Sequence, residues 1–276
     1  MRQTPFFILL WLILFFAKPG KGSTIDTVET YSASMRKKIK ALVIKPDNYN
    51  TAKVLPAIYL LHGLMENYKQ LLQNITALAD YADKYNLLII CPDGDPAGWY
   101  FDSPQEKAYK YETYISTEIV DYIDKYYKAI KNRKGRAIIG ASMGGHGAFY
   151  IAFKHQDAFG AAGSISGCVD IRPYPNTLAI QERLGSYAKY PERWEQNTVI
   201  NLTHLLTPNS LALIFDCGSE DMFFGINQSL HKKLLDMNIP HDYISRPGGH
   251  TWEYMTTALK YQMLFVSNFF KQNNSN

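Results

Sequence analysis

The sequence predicts an α/β fold: a mostly parallel central sheet of about eight strands with helices on both faces. Two kinds of segment alternate along the chain. Nearly continuous apolar runs such as Ala57-Ile58-Tyr59-Leu60-Leu61 and Leu87-Leu88-Ile89-Ile90-Cys91 read as strands buried on both faces. Between them lie stretches whose apolar residues recur at helical spacing. Two strand-like segments, Thr27–Ser32 and Met35–Ile44, lead the chain about a Ser32-Ala33-Ser34 turn and predict an antiparallel hairpin. In mid-chain, Ala137-Ile138-Ile139 runs into Gly140-Ala141-Ser142-Met143-Gly144-Gly145 and then into the apolar stretch Gly147 to Phe153. That is a strand, a sharp turn carrying a serine, and a helix.

The remaining elements follow in order. Pro56–Leu61 is a strand, followed by His62-Gly63-Leu64 and a helix over Tyr68–Lys84 with Leu71, Leu72, Ile75, Leu78, Ala79 and Ala82 on one side. Leu87–Cys91 is the next strand, ended by Pro92 to Pro96. The aromatic loop Trp99-Tyr100-Phe101 and a helix over Tyr111–Tyr126 come next. After the serine turn and its helix, Ala158–Ser166 is strand-like. Residues 170–208 carry Pro173, Pro175, Pro191 and Pro208, lack a strand–helix rhythm, and read as a lid-like excursion over one edge of the sheet. A strand at Leu211–Phe215, a helix at Ile226–Met237, a strand at His241–Arg246 and a helix at Trp252–Phe270 close the chain.

Composition narrows the function classes. With 276 residues and 46% apolar content, the chain suffices for one large core, so residues 23–276 are expected to form one domain. The net charge of +4 is spread along the sequence. The densest basic cluster, Arg36-Lys37-Lys38 with Lys40, lies on an alternating strand and reads as a solvated face, so no nucleic-acid partner is expected. Arg2 precedes an unbroken apolar run of 12 residues, Phe6–Ala17, which ends at Lys18-Pro19-Gly20-Lys21-Gly22. The run is too short to span a bilayer and has the flanks of a secretory signal peptide. Residues 1–22 are therefore expected to direct export, to the periplasm or outside the cell, with no stable membrane span after cleavage. Cys91, Cys168 and Cys217 are too few and too widely spaced for a disulfide framework. Buried thiols are expected, with one bridged pair left open. No C-x-x-C and no His/Cys cluster at zinc spacing is present, so no metal is expected.

The G-x-S-x-G turn sets the chemistry. Glycines at 140 and 144 let strand and helix approach closely around a strained serine, the geometry of a nucleophile elbow. A serine hydroxyl needs a neutral imidazole to take its proton, and the imidazole needs a carboxylate to fix its tautomer. In an open parallel sheet these groups belong at carboxyl ends of strands, in the order Ser, Asp or Glu, His. The acids just after the strand Leu211–Phe215 are Asp216, Glu220 and Asp221; the turn Cys217-Gly218-Ser219 can bring either Glu220 or Asp221 round to face the site, and Asp221 is the favoured acid. Among seven histidines, His250 lies in the loop after the last strand, following Pro247-Gly248-Gly249. His241 and His146 read as structural, and His155, His204 and His231 as surface residues. An oxyanion requires two fixed N–H donors. Met143, directly after the serine, supplies one; Leu64 supplies the other, with Met65 as its alternative, and His62 braces that loop.

With these segments in place, the chain resembles the esterase D branch of the α/β-hydrolases, which includes S-formylglutathione hydrolases, tributyrin-type esterases, feruloyl and acetyl-xylan esterases and the secreted mycolyltransferases. The matching stretches are Tyr59–Gly63, Tyr111–Ile115, Arg136–Gly145, Asp216–Asp221 and Pro247–Trp252. The resemblance implies the α/β-hydrolase fold, Ser142 as nucleophile, Asp221 as acid, His250 as base, and Leu64 and Met143 as the oxyanion hole, with no cofactor. The expected substrate is a small-molecule or carbohydrate ester, carrying a short acyl, acetyl or feruloyl group. Trp99 and Tyr100 are candidates for contacting it. Three other readings stay open: an S-formylglutathione hydrolase, an acyltransferase to a sugar, and a non-catalytic binding module.

Overall fold

The structure is a computed structural model that describes residues 22–274. The expected signal peptide therefore lies outside the described residues, Gly22 excepted. Among the described residues, eight strands form one sheet: β1 (Thr24–Ser32), β2 (Lys37–Lys45), β3 (Ala57–Leu61), β4 (Leu88–Pro92), β5 (Arg136–Ala141), β6 (Ala161–Ile165), β7 (Ala212–Gly218) and β8 (Asp242–Arg246). Their order is β1-β2-β4-β3-β5-β6-β7-β8. The β1–β2 and β2–β4 pairs are antiparallel and every later pair is parallel. The hairpin and the parallel sheet are thus as the sequence predicts.

The helices are α1 (Gln70–Asn74), α2 (Leu78–Tyr85), α3 (Tyr111–Thr113), α4 (Ile119–Tyr126), α5 (Met143–Lys154), α6 (Ile180–Leu184), α7 (Pro191–Gln196), α8 (Val199–Leu202), α9 (Phe224–Asp236) and α10 (Trp252–Asn274). A π-turn over Tyr114–Glu118 joins α3 to α4, so Tyr111–Tyr126 is continuous helix as expected. The two-residue period of the strands divides the core into two layers. Ala57, Tyr59 and Leu61 of β3 face one layer with α5, α4 and α9; Ile58 and Leu60 face the other with α2 and α10.

Two expectations need correction. The helix expected over Tyr68–Lys84 is two helices, because Ile75 leaves helical geometry (φ −119°, ψ 83°) and buries its branched side chain at 2% exposure. Leu71, Ile75, Leu78 and Ala82 still share one buried face, which is why their spacing read as one helix. The excursion after β6 does not run over a sheet edge. It carries α6, α7 and α8, and Ile180, Leu184, Trp194 and Val199 bury in the same layer as Phe149 and Ile151 of α5. The indole N–H of Trp194 donates to the Gly185 carbonyl at 2.9 Å, which ties α6 to α7.

Candidate active site

Four strand ends converge. β5 delivers Ser142, β3 the loop His62–Glu66, β7 Asp221 and β8 His250. Ser142 stands at the entry to α5 with φ 57° and ψ −117°, a conformation unusual for a residue with a Cβ. Its backbone N–H donates to the Ile165 carbonyl at 2.9 Å, which pins the strained residue to β6. A side chain at Gly140 would collide with the Gly144 backbone, and one at Gly144 with the Leu61 and His62 carbonyls. Both glycines are therefore required by the close approach of strand and helix.

Ser142 Oγ lies 2.9 Å from His250 Nε2, and His250 Nδ1 lies 2.8 Å from Asp221 Oδ2. The other Asp221 oxygen accepts the Phe223 N–H at 2.8 Å. Burial pushes the Asp221 carboxyl up, yet the hydrogen bonds from His250 and from Phe223 outweigh it and hold it below the ordinary range. The Phe223 ring meets the His250 ring edge-on at 5.2 Å, restricting its rotation. The structure thus brings Ser142, His250 and Asp221 into one hydrogen-bonded line. Asp216 and Glu220 stand apart: Asp216 is buried against Arg246 and Tyr254, and Glu220 is exposed.

The loop after β3 is fixed on several sides. His62 is fully buried; its Nε2 accepts the Gly94 N–H at 2.8 Å, so the ring proton sits on Nδ1, which donates to the Gly63 carbonyl at 2.9 Å. Met65 N–H is taken by the Pro96 carbonyl at 2.7 Å, which removes Met65 from the two candidate donors. Among the described residues, neither Leu64 N–H nor Met143 N–H has a protein acceptor.

Trp99 and Tyr100 do not line the site. They are 1% and 0% exposed. The Tyr100 ring fills the space left by Gly94 and Gly147, and its hydroxyl donates to the His62 carbonyl at 3.0 Å. The Trp99 indole N–H donates to the Leu178 carbonyl at 2.8 Å. Both brace the site from behind, because the loop turns its rings inward through positive φ values of 56° and 60°. His155 and His231 are also partly buried rather than free on the surface, the first bonded to Glu112 and the second to His241. His146 is fully buried behind the elbow, its imidazole pushed down to about 4 by burial. The cysteines are all free and buried.

A family model described as "Putative esterase" matches residues 32–266. The chain belongs to this esterase family. An esterase of Mycobacterium tuberculosis is 27% identical over 76% of the chain, but the chain spans only about half of that relative, 52% of its length. A diacylglycerol acyltransferase/mycolyltransferase of Mycobacterium leprae is 31% identical over 87% of this chain and 81% of its own. Among solved structures, a ferulic acid esterase shares 28% identity at a TM-score of 0.77, covering 90% of this chain and 99% of the other. The fold is that of the α/β-hydrolase esterases.

In this esterase-family chain, Ser142 and His250 open into a cavity of about 250 Å³. Leu178, Met222, Phe223, Trp252 and Met255 form its apolar wall, and Glu66 supplies a carboxylate. Of these, only Trp252 was signalled by sequence, as the last residue of the Pro247–Trp252 stretch. Glu66 follows the His62-Gly63-Leu64 segment directly, but its direction depends on the turn at Met65 (φ 61°). Among the described residues no helix is long and apolar enough to cross a membrane.

Proposed function

We propose that the protein is an exported serine carboxylesterase, with residues 23–276 as its single catalytic domain. It hydrolyses short-chain acyl, acetyl or feruloyl esters, carbohydrate esters among them, through an acyl-enzyme on Ser142. The observation that carries this reading is the hydrogen-bonded line from Ser142 Oγ through His250 to Asp221, opening into a cavity beside two free N–H groups. Family membership and the likeness to a ferulic acid esterase support it. Export is supported by the apolar run Phe6–Ala17 behind Arg2.

Ser142 Oγ attacks the ester carbonyl as His250 Nε2 takes its proton, and Asp221 holds the imidazole with its proton on Nδ1 and steadies the imidazolium. Leu64 N–H and Met143 N–H receive the oxyanion. The imidazolium protonates the departing alcohol. Water then enters, gives its proton to His250 and releases the acid, restoring Ser142. Ser142→Ala is expected to abolish turnover of p-nitrophenyl acetate and labelling by a fluorophosphonate, with an unchanged melting curve. Turnover that survives in Ser142→Ala would remove the nucleophile assignment.

A second reading, acyl transfer to a sugar hydroxyl, is favoured by the mycolyltransferase relative. The acyl-enzyme would be the same and only the acceptor would differ. Product analysis with and without an added acceptor sugar separates the two: hydrolysis gives free acid in both cases, and transfer gives a new sugar ester only with the acceptor.

A further inference from the structure

Glu66 is the one side chain of the cavity, His250 apart, that carries a formal charge. Its Oε2 accepts the Gly63 N–H at 2.8 Å, which seats the carboxylate on the loop that also presents Leu64 N–H. Glu66 is half-buried, and among the described residues no lysine or arginine pairs with it. Burial raises its carboxyl above the ordinary range although the Gly63 N–H and the neighbouring His62 and His250 act the other way. A half-buried carboxylate without a cation is a poor structural element, because desolvation costs more than a single neutral hydrogen bond returns. The Gly63 N–H satisfies one acceptor site of about four, so most of the hydrogen-bonding capacity of this cavity-lining group is not taken up by the protein.

The ligand that fits is constrained by chemistry. An ammonium brings three donors and needs several acceptors, whereas the cavity offers one carboxylate against an apolar wall. An anion beside Glu66 is repelled, and the low dielectric of the cavity strengthens that repulsion. Neutral hydroxyls donate to a carboxylate, and the C–H face of a sugar ring suits the indole of Trp252 and the ring of Phe223.

We propose that Glu66 sets substrate class: its carboxylate binds the hydroxyls of a neutral sugar ester and rejects esters that carry a negative charge beside the scissile bond. The inference rests on the reading of Ser142 as nucleophile and deepens it. It also separates this protein from an S-formylglutathione hydrolase, whose thioester carries carboxylates.

The test compares three esters acetylated at the same position: methyl 3-O-acetyl-glucoside, the corresponding glucuronide, and the 6-amino-6-deoxy glucoside. The readout is the ratio of kcat/KM values, so a general loss of activity cancels. The protein as it stands should favour the neutral glucoside over the glucuronide by about tenfold or more. In Glu66→Gln, which keeps an acceptor for Gly63 N–H, that ratio should fall to within about threefold, and raising salt to about 0.5 M should narrow it in the unmodified protein. Equal turnover of glucoside and glucuronide by the unmodified protein overturns the proposal without recourse to any variant. A ratio that persists in Glu66→Gln overturns it too, as does a strong preference for the amino sugar, which would make Glu66 a cation site. Failure of the underlying reading is distinct: it appears as esterase activity in Ser142→Ala, whatever the ratios.

Discussion

His62 Nδ1 and Leu64 N–H act on one and the same peptide unit, because the Gly63 carbonyl and the Leu64 N–H share a plane. The bond from His62 to that carbonyl therefore sets the direction of the proposed oxyanion donor without touching substrate. His62→Leu is expected to lower kcat by about tenfold to a hundredfold while KM moves little, since a misdirected donor is felt in the transition state. Steady-state kinetics with p-nitrophenyl acetate checks this, and a loss confined to KM would assign His62 a binding role instead. Asp221→Asn presents a different test. An amide that donates to His250 Nδ1 would turn the imidazole to the wrong tautomer, so kcat should fall by about 10³–10⁴-fold with the fold intact. Asp216, five residues earlier, is engaged by Arg246 and Tyr254 and makes no such contact with His250.

At the scale of elements, the join of β5 to α5 leaves no room for a side chain at Gly140 or Gly144. Gly144 faces the Leu61 and His62 carbonyls, and a methyl group there would push the helix off β3. Gly144→Ala is expected to destabilise the protein by about 1–3 kcal/mol, read from urea unfolding, and to lower esterase activity in the fraction that stays folded. A change in activity without any change in the unfolding midpoint would contradict this account. The loop Trp99–Phe101 shows a second kind of element-level fit. Its aromatic run looked like a surface for ligand, yet two successive positive φ values turn the rings into the space beside α5. Aromatic content alone does not reveal which way such a loop turns, because the space that accepts the Tyr100 ring is left by Gly94 and Gly147, far apart in sequence.

Across the whole molecule, Glu112 joins parts that are distant along the chain. It leaves the first turn of α3, accepts from the Tyr150 hydroxyl at 2.6 Å, and meets Lys154 and His155 at the end of α5. The Tyr150 hydroxyl also lies 2.7 Å from Asn197, next to α7 in the excursion. Burial pushes the Glu112 carboxyl up, but bonds from His155, Lys154 and Tyr150 prevail and bring it down to about 2. A carboxyl depressed on folding stabilises the native state above its ordinary value, and that contribution is lost as pH falls towards the folded value. Glu112→Gln should therefore be less stable by about 1–3 kcal/mol near neutrality, with the difference shrinking below the ordinary carboxyl value of 4.5 and gone near 2. Urea midpoints for both proteins at neutral and acid pH test this, and a gap that stays constant with pH would sink the ion-pair explanation.

The parallel sheet, the leading hairpin, the elbow, and the positions of Ser142, Asp221 and His250 were legible in the sequence. Each is written locally: buried strands as apolar runs, the sharp strand-to-helix turn as glycines around a serine, the proposed acid and base as polar residues just past strand ends. The rest of the cavity wall, Trp252 excepted, was not legible. The wall is assembled from Glu66, Leu178, Met222, Phe223, Trp252 and Met255, which come from four separated loops or element ends. The break at Ile75 and the inward turn of Trp99 and Tyr100 were hidden for the same reason. Periodicity and residue type report which side chains prefer burial, and that preference is local. Which of them meet, and which face a substrate, is decided by long-range packing around the sheet, and only the tertiary structure contains it.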